Sequence, residues 1–83
     1  MGKFANKQYI RAMEKRFGIV AKKNRKTNRL TITAPDGQII FDESYPNSYS
    51  TEAGWEMLWI WARIPVEKYT NCSYFSDWEQ NNP

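Results

Sequence analysis

The chain has 83 residues, a length that corresponds to one domain. Aromatic residues make up 16% of the sequence, and because disordered segments are poor in them, we expect a folded domain with a small aromatic core. One cysteine and no histidine exclude an intramolecular disulfide and a zinc site of the usual composition. We expect no metal and no other cofactor.

The charges are divided unequally along the chain. Ten of the twelve basic residues lie between positions 3 and 29 together with a single acid, so residues 1–29 carry a net charge of +9. Residues 30–83 contain two bases and eight acids, which gives −6 and a total of +3. A separation of this size predicts that one end of the molecule binds a polyanion, most often a nucleic acid.

Neither a secretory signal nor a membrane span is visible in the sequence. The first nine residues contain no apolar core of the kind that a signal peptide needs. The longest apolar stretch, residues 57–62, is far too short to cross a bilayer. We therefore expect a cytoplasmic protein that has no membrane partner.

The first predicted element is a helix over residues 6–17. Asn6 is a suitable residue to cap its start, and Gly18 is suited to close its end. The helical period brings apolar residues to one broad face; these are Ala5, Tyr9, Ile10, Ala12, Met13 and Phe17. Basic residues follow one another at a spacing of four on the opposite face; these are Lys3, Lys7, Arg11 and Lys15.

A three-stranded sheet is predicted over residues 18–42. Its strands are three short extended runs, at residues 18–23, 29–34 and 38–42. Pro35, Asp36 and Gly37 form a strong turn signal between the last two runs, because proline presets φ and glycine accepts a positive φ. A polar turn at residues 24–28 joins the first two, so the strands form an antiparallel meander.

A second helix is predicted over residues 50–64. Ser50 or Thr51 caps its start, and Pro65 is expected to end it. Glu52, Glu56 and Arg63 form one narrow polar stripe, and the rest of the circumference is apolar. A helix of this kind is buried on several sides or binds a partner.

The tryptophans of this helix divide between two faces. Trp55 and Trp59 share the inner face with Leu58 and Ala62, so core packing is expected for them. Met57 and Trp61 point elsewhere. We expect the irregular tail, residues 65–83, to cover them with its aromatic side chains, which are Tyr74, Phe75 and Trp78. Without that cover, Met57 and Trp61 would form a protein interface.

The sequence therefore predicts an α+β fold of one small domain in the order α-β-β-β-α. Both helices pack on one face of a three-stranded antiparallel meander, and an irregular aromatic C-terminal tail follows. The predicted core comprises Ile10, Met13, Phe17, Val20, Leu30, Ile32, either Ile39 or Phe41, Trp55, Leu58, Trp59 and Ala62. This order of elements resembles that of double-stranded-RNA-binding domains. Such domains carry a basic cluster at the start of the second helix, where residues 50–56 are acidic here, so their usual mode of binding is not expected.

The leading functional hypothesis is a non-enzymatic binding module that contacts nucleic acid or another polyanionic surface. Its predicted binding residues are Lys3, Lys7, Arg11, Lys15, Lys22, Lys23, Arg25, Lys26 and Arg29. Close acid pairs exist, Asp42 with Glu43 and Glu52 with Glu56, but no histidine is available as a base and catalysis is not expected. The alternative is a small inhibitor or adaptor that binds a protein, similar in size and character to phage and mobile-element inhibitors of defence nucleases.

Overall fold

The computed structural model describes residues 5–73 and contains two helices and one sheet. In chain order the elements are α1 (Ala5–Phe17), β1 (Val20–Asn24), β2 (Arg29–Thr33), β3 (Ile39–Ser44) and α2 (Thr51–Thr70). The strands form an antiparallel sheet in the order β1-β2-β3. The predicted α-β-β-β-α order of one small domain is therefore confirmed, whereas residues 74–83 of the predicted tail lie outside the described residues.

Helix α1 forms because its apolar residues recur with the helical period. Tyr9, Ile10 and Met13 are completely buried against the rest of the core. Gly18 ends the helix as predicted: it has a φ of 75°, and its N–H donates to the carbonyl of Glu14 at 3.0 Å. Asn6 was expected to cap the start, but it lies inside the helix.

The pairing register decides which side chains of the sheet face the helices. Ala21, Ile32 and Phe41 lie opposite one another on the inner face. The prediction that Val20 belongs to the core is wrong, because this register turns it to the open face, where it is 42% exposed. An irregularity in the pairing of β2 with β3 turns Ile39 outward as well, so Phe41 takes the core position that the sequence left open.

Helix α2 continues well beyond the predicted end at residue 64. Pro65 lies inside it, although proline removes one backbone hydrogen bond and crowds the preceding turn. Val66 and Thr70 lie beyond the proline and are both buried, so their packing offsets that cost. The helix ends at Asn71, which takes the left-handed conformation with a φ of 55°. Residues 65–70 are therefore helical and not part of an irregular tail.

Both helices contribute to one core on the inner face of the sheet, as predicted. The residues that the sequence did not assign to it are Tyr9, Ile19, Ala21, Tyr45, Val66 and Cys72. Phe17 and Trp55 were expected inside, but they lie half-buried at its margin. The Tyr9 hydroxyl donates to the carbonyl of Cys72 at 2.5 Å, which ties α1 to the segment after α2. No helix among residues 5–73 has the length and apolar character needed to cross a membrane.

Candidate binding face

The predicted basic residues of α1 and of the first hairpin meet in space. Lys23 is half-buried, and its ammonium nitrogen lies 5.6 Å from the centre of the Trp55 ring. The pKa of Lys23 is lowered, first because burial penalises the charged amine and then because Lys7, Arg25 and Arg11 add positive charge around it. Four cations from two separate elements thus lie close together.

Helix α1 extends this cluster along its surface. An open groove follows the helix and is lined by Lys7, Gln8, Arg11, Ala12 and Lys15. The three bases among these residues are four positions apart, so they project from one side of the helix. We call the resulting surface the basic face; its residues are Lys7, Arg11, Lys15, Lys23 and Arg25.

Arg11 also has a structural role at the edge of the sheet. Its guanidinium donates to the Glu14 carboxylate at 2.7 Å and to the carbonyl of Ala21 at 3.3 Å. The same carboxylate accepts the N–H of Ala21 at 2.8 Å. Both backbone groups of Ala21 are therefore satisfied by α1, which protects this part of the β1 edge from pairing with another strand. The Arg11 side chain is still 41% exposed.

Tryptophans of α2 support two of the cations. The guanidinium carbon of Arg11 lies 5.3 Å from the centre of the Trp59 ring, and Lys23 lies over Trp55 in the same way. Contacts of this type hold the long side chains in position and are worth about 0.5–2 kcal/mol each. The sequence predicts only a core position for these tryptophans. Two sequence signals could have indicated these contacts. Trp55 and Trp59 are four residues apart and so share one side of α2, and Lys23 points to the opposite side of β1 from Lys22.

The turn between β1 and β2 presents further positive charge. The Asn24 side-chain oxygen accepts the N–H groups of Lys26 and Thr27, at 3.0 Å and 3.3 Å, and so holds the turn closed. Asn28 completes the turn with a positive φ of 55°. Arg25 and Lys26 are exposed, so the hydrogen bonds fix the backbone while both side chains face solvent.

Two predicted binding residues lie on the open face of the sheet. Lys22 is exposed there, and Arg29 donates to the Asp42 carboxylate at 2.6 Å. Thr31 donates to the same oxygen at 2.9 Å, and the hydrogen bonds from Arg29 and Thr31 lower the pKa of Asp42. Arg29 therefore lies on the opposite face of the sheet from Lys23 and is not joined to the basic face. Lys3 lies outside the described residues.

The outer surface of α2 is more apolar than the sequence predicts. Arg63 belongs to the predicted polar stripe, but it faces α1, where it donates to the side chain of Asn6 at 2.8 Å. Trp61 and Ile64 are 37% and 66% exposed, and Met57 is half-buried beside them. The predicted cover for these residues, which is Tyr74, Phe75 and Trp78, lies outside the described residues.

The described residues include no cluster with the composition of a metal site. Within residues 5–73, no three side chains of His, Cys, Asp or Glu lie together where they could hold an ion. Cys72 is a buried free thiol, and its sulfur accepts a long contact from Arg16 at 3.6 Å. A comparison of the chain with protein-family models, with curated proteins and with solved structures finds no match.

Proposed function

We propose that this protein is a non-enzymatic binding module, located in the cytoplasm, that contacts nucleic acid through the basic face. The observation that carries the proposal is the groove of α1 lined by Lys7, Arg11 and Lys15, beside the first hairpin, whose Lys23 has its pKa lowered by burial and by nearby positive charge. Like charges held together repel one another, so the arrangement opposes the stability of the free protein. A ligand of high negative charge density removes that repulsion when it binds, which favours a polyanion over a neutral partner.

Nucleic acid suits this arrangement because its phosphates are closely spaced and carry condensed counterions. Each phosphate that a lysine or arginine neutralises releases counterions, and log K then falls by about 0.9 per contact for each unit of log salt on a duplex. The side chains at the exposed turn, Arg25 and Lys26, can engage phosphates without reorganising the core. Contacts of this kind supply affinity and orientation but little sequence information.

The proposal is tested by measuring binding to nucleic acid as a function of salt. The affinity should fall steeply as salt is raised. A variant in which Lys7, Lys15, Lys23 and Arg25 are all changed to Ala should lose most of the affinity, and circular dichroism should show that it remains folded. A salt slope near zero, or an unchanged affinity in the folded variant, contradicts the proposal.

A second candidate function is that of a small inhibitor or adaptor that binds a protein. The observation that favours it is the apolar surface of α2, where Trp61 is 37% and Ile64 66% exposed. In a pull-down from a bacterial lysate treated with nuclease, a protein partner should persist. The partner should be lost on Ile64→Ser or Trp61→Ala, and it should be retained by the variant in which Lys7, Lys15, Lys23 and Arg25 are changed to Ala. Loss of every partner after nuclease treatment contradicts this candidate.

A further inference from the structure

Among residues 5–73, the two tryptophans next to the basic face lie beneath its cations. Trp59 is only 4% exposed, with the Arg11 guanidinium over its ring. Trp55 is half-buried between two neighbours: Lys23 lies over it, and the Tyr45 ring packs against it edge-on at 5.5 Å. Each indole therefore has a cation of the basic face over its ring, where a base would have to stack.

The position of these rings under the cations affects whether the basic face suits a single strand or a duplex. Proteins that bind single strands combine a positive groove with accessible aromatic rings on which unpaired bases stack, and each stacked base contributes about 1–3 kcal/mol. The exposed tryptophan among residues 5–73, Trp61, is two positions from Trp59, which places it roughly 160° away around the α2 axis. A strand bound along α1 could not stack its bases on that ring.

The cations themselves are arranged to meet phosphates. Lys7, Arg11 and Lys15 are four residues apart, so they follow the helix axis at intervals of about 6 Å. A duplex carries one negative charge for about every 1.7 Å of its axis, twice the density along a single strand. The row therefore suits the charge density of a duplex better than that of a single strand, and Arg11 contributes through the 41% of its side chain that is exposed, since its guanidinium also donates to Glu14.

We infer that the ligand of the basic face is the phosphate backbone of a nucleic-acid duplex, bound without regard to sequence. The inference rests on the function proposed above and narrows it to one ligand class. Trp55 and Trp59 act as positioning residues, because they hold Lys23 and Arg11 in place and make no contact with bases. The bases stay paired and stacked inside the duplex, so no ring of the protein needs to reach them.

The experiment compares four probes by fluorescence anisotropy at one salt concentration. They are two duplexes of unrelated sequence, about two helical turns or roughly 21 base pairs long, one strand of the first duplex, and an abasic strand of the same length. We expect the duplexes to bind within about threefold of each other and about tenfold more tightly than the single strand. The abasic strand should bind about as well as the strand with bases, since stacking is not used.

The outcomes separate this inference from the proposed function. Tighter binding of the single strand, or a loss of about tenfold on removing its bases, overturns the duplex inference and leaves nucleic-acid binding intact. A difference of more than about thirtyfold between the two duplexes overturns it as well, because it demonstrates base readout. Binding to none of the four probes overturns both the inference and the proposed function. An acidic protein surface would then be the ligand to test.

Discussion

The two flanks of α2 carry the same residue type in opposite environments. On the flank that faces α1 and the first hairpin, Trp55 and Trp59 are packed under cations and against the core. On the opposite flank, Trp61 and Ile64 face solvent. The environment of each tryptophan in this helix therefore depends on its angle around the helix axis. One flank supports a charged surface through one buried and one half-buried ring, and the other keeps apolar side chains partly exposed.

The largest expected effect comes from truncating one tryptophan on each flank. Trp59→Ala should lower the free energy of unfolding by about 3–5 kcal/mol, because it leaves a cavity in a packed core. Trp61→Ala should lower it by about 1 kcal/mol or less, since less packing is lost at an exposed position. Chemical denaturation monitored by circular dichroism measures both. Equal losses in the two variants would show that Trp61 is packed as firmly as Trp59.

Alkaline pH should weaken the contact that holds α1 to the end of α2. Burial raises the pKa of Tyr9 to about 12 from its usual 10.0. The folded protein keeps the phenol proton to higher pH than the unfolded chain does. The stabilisation that the neutral phenol contributes is therefore complete below pH 10.0 and is lost as the pH rises through about 12. The loss is on the order of 2–3 kcal/mol.

Tyr9→Phe is the control for this prediction because it cannot ionise at that position. Lysines also titrate in this pH range, but they do so in both proteins. We expect the difference in unfolding free energy between the two proteins to change by about 2 kcal/mol between pH 10 and 12. A difference that stays constant over this range contradicts a raised pKa for Tyr9.

A smaller effect tests how tightly α2 packs on its buried side. A methyl group at Gly54 would overlap ring atoms of Tyr45, so Gly54→Ala should destabilise the fold by about 2 kcal/mol despite the better helix propensity of alanine. Gly37→Ala is the matched control: no atom lies within 4 Å of the added carbon, and only its φ of +93° opposes the change, by about 1 kcal/mol. A stabilised Gly54→Ala protein would mean that Tyr45 moves aside without cost.

The smallest effect compares one cation on the basic face with one outside it. Arg25→Gln should weaken binding to a duplex by about 1 kcal/mol and reduce the salt slope by about one unit. Lys68→Gln removes the same charge from an exposed position in the last turn of α2 and should leave the slope unchanged. If the two variants weaken binding equally, net charge and not the basic face determines affinity.

Local signals were enough to predict most of the element order. Gly18 ends α1, and Ser50 caps α2 by accepting the N–H of Ala53 at 3.2 Å, because these are short-range backbone effects. Pro65 was misleading for the opposite reason. The proline destabilises the helix locally, but the burial of Val66 and Thr70 offsets that cost. Their burial depends on contacts with residues distant in the chain, so a local sequence pattern cannot predict it.

The candidate site was predicted in part. The sequence located the positive charge on α1 and the first hairpin, and the structure brings Lys7, Arg11, Lys23 and Arg25 together. It did not predict that Arg29 would be offset by Asp42, because that pairing depends on the register of β2 against β3. The support of Lys23 by Trp55 depends likewise on how α2 lies across the sheet.

By itself the sequence determined the division of charge, the order of elements and the absence of histidine, because composition and short-range patterns carry that information. Only the tertiary structure decided which flank of α2 is covered and which cations share a surface. The physical reason is that burial and charge proximity depend on contacts between residues far apart in the chain. Arg11 over Trp59 is one such contact: it joins two helices that the whole sheet separates in sequence.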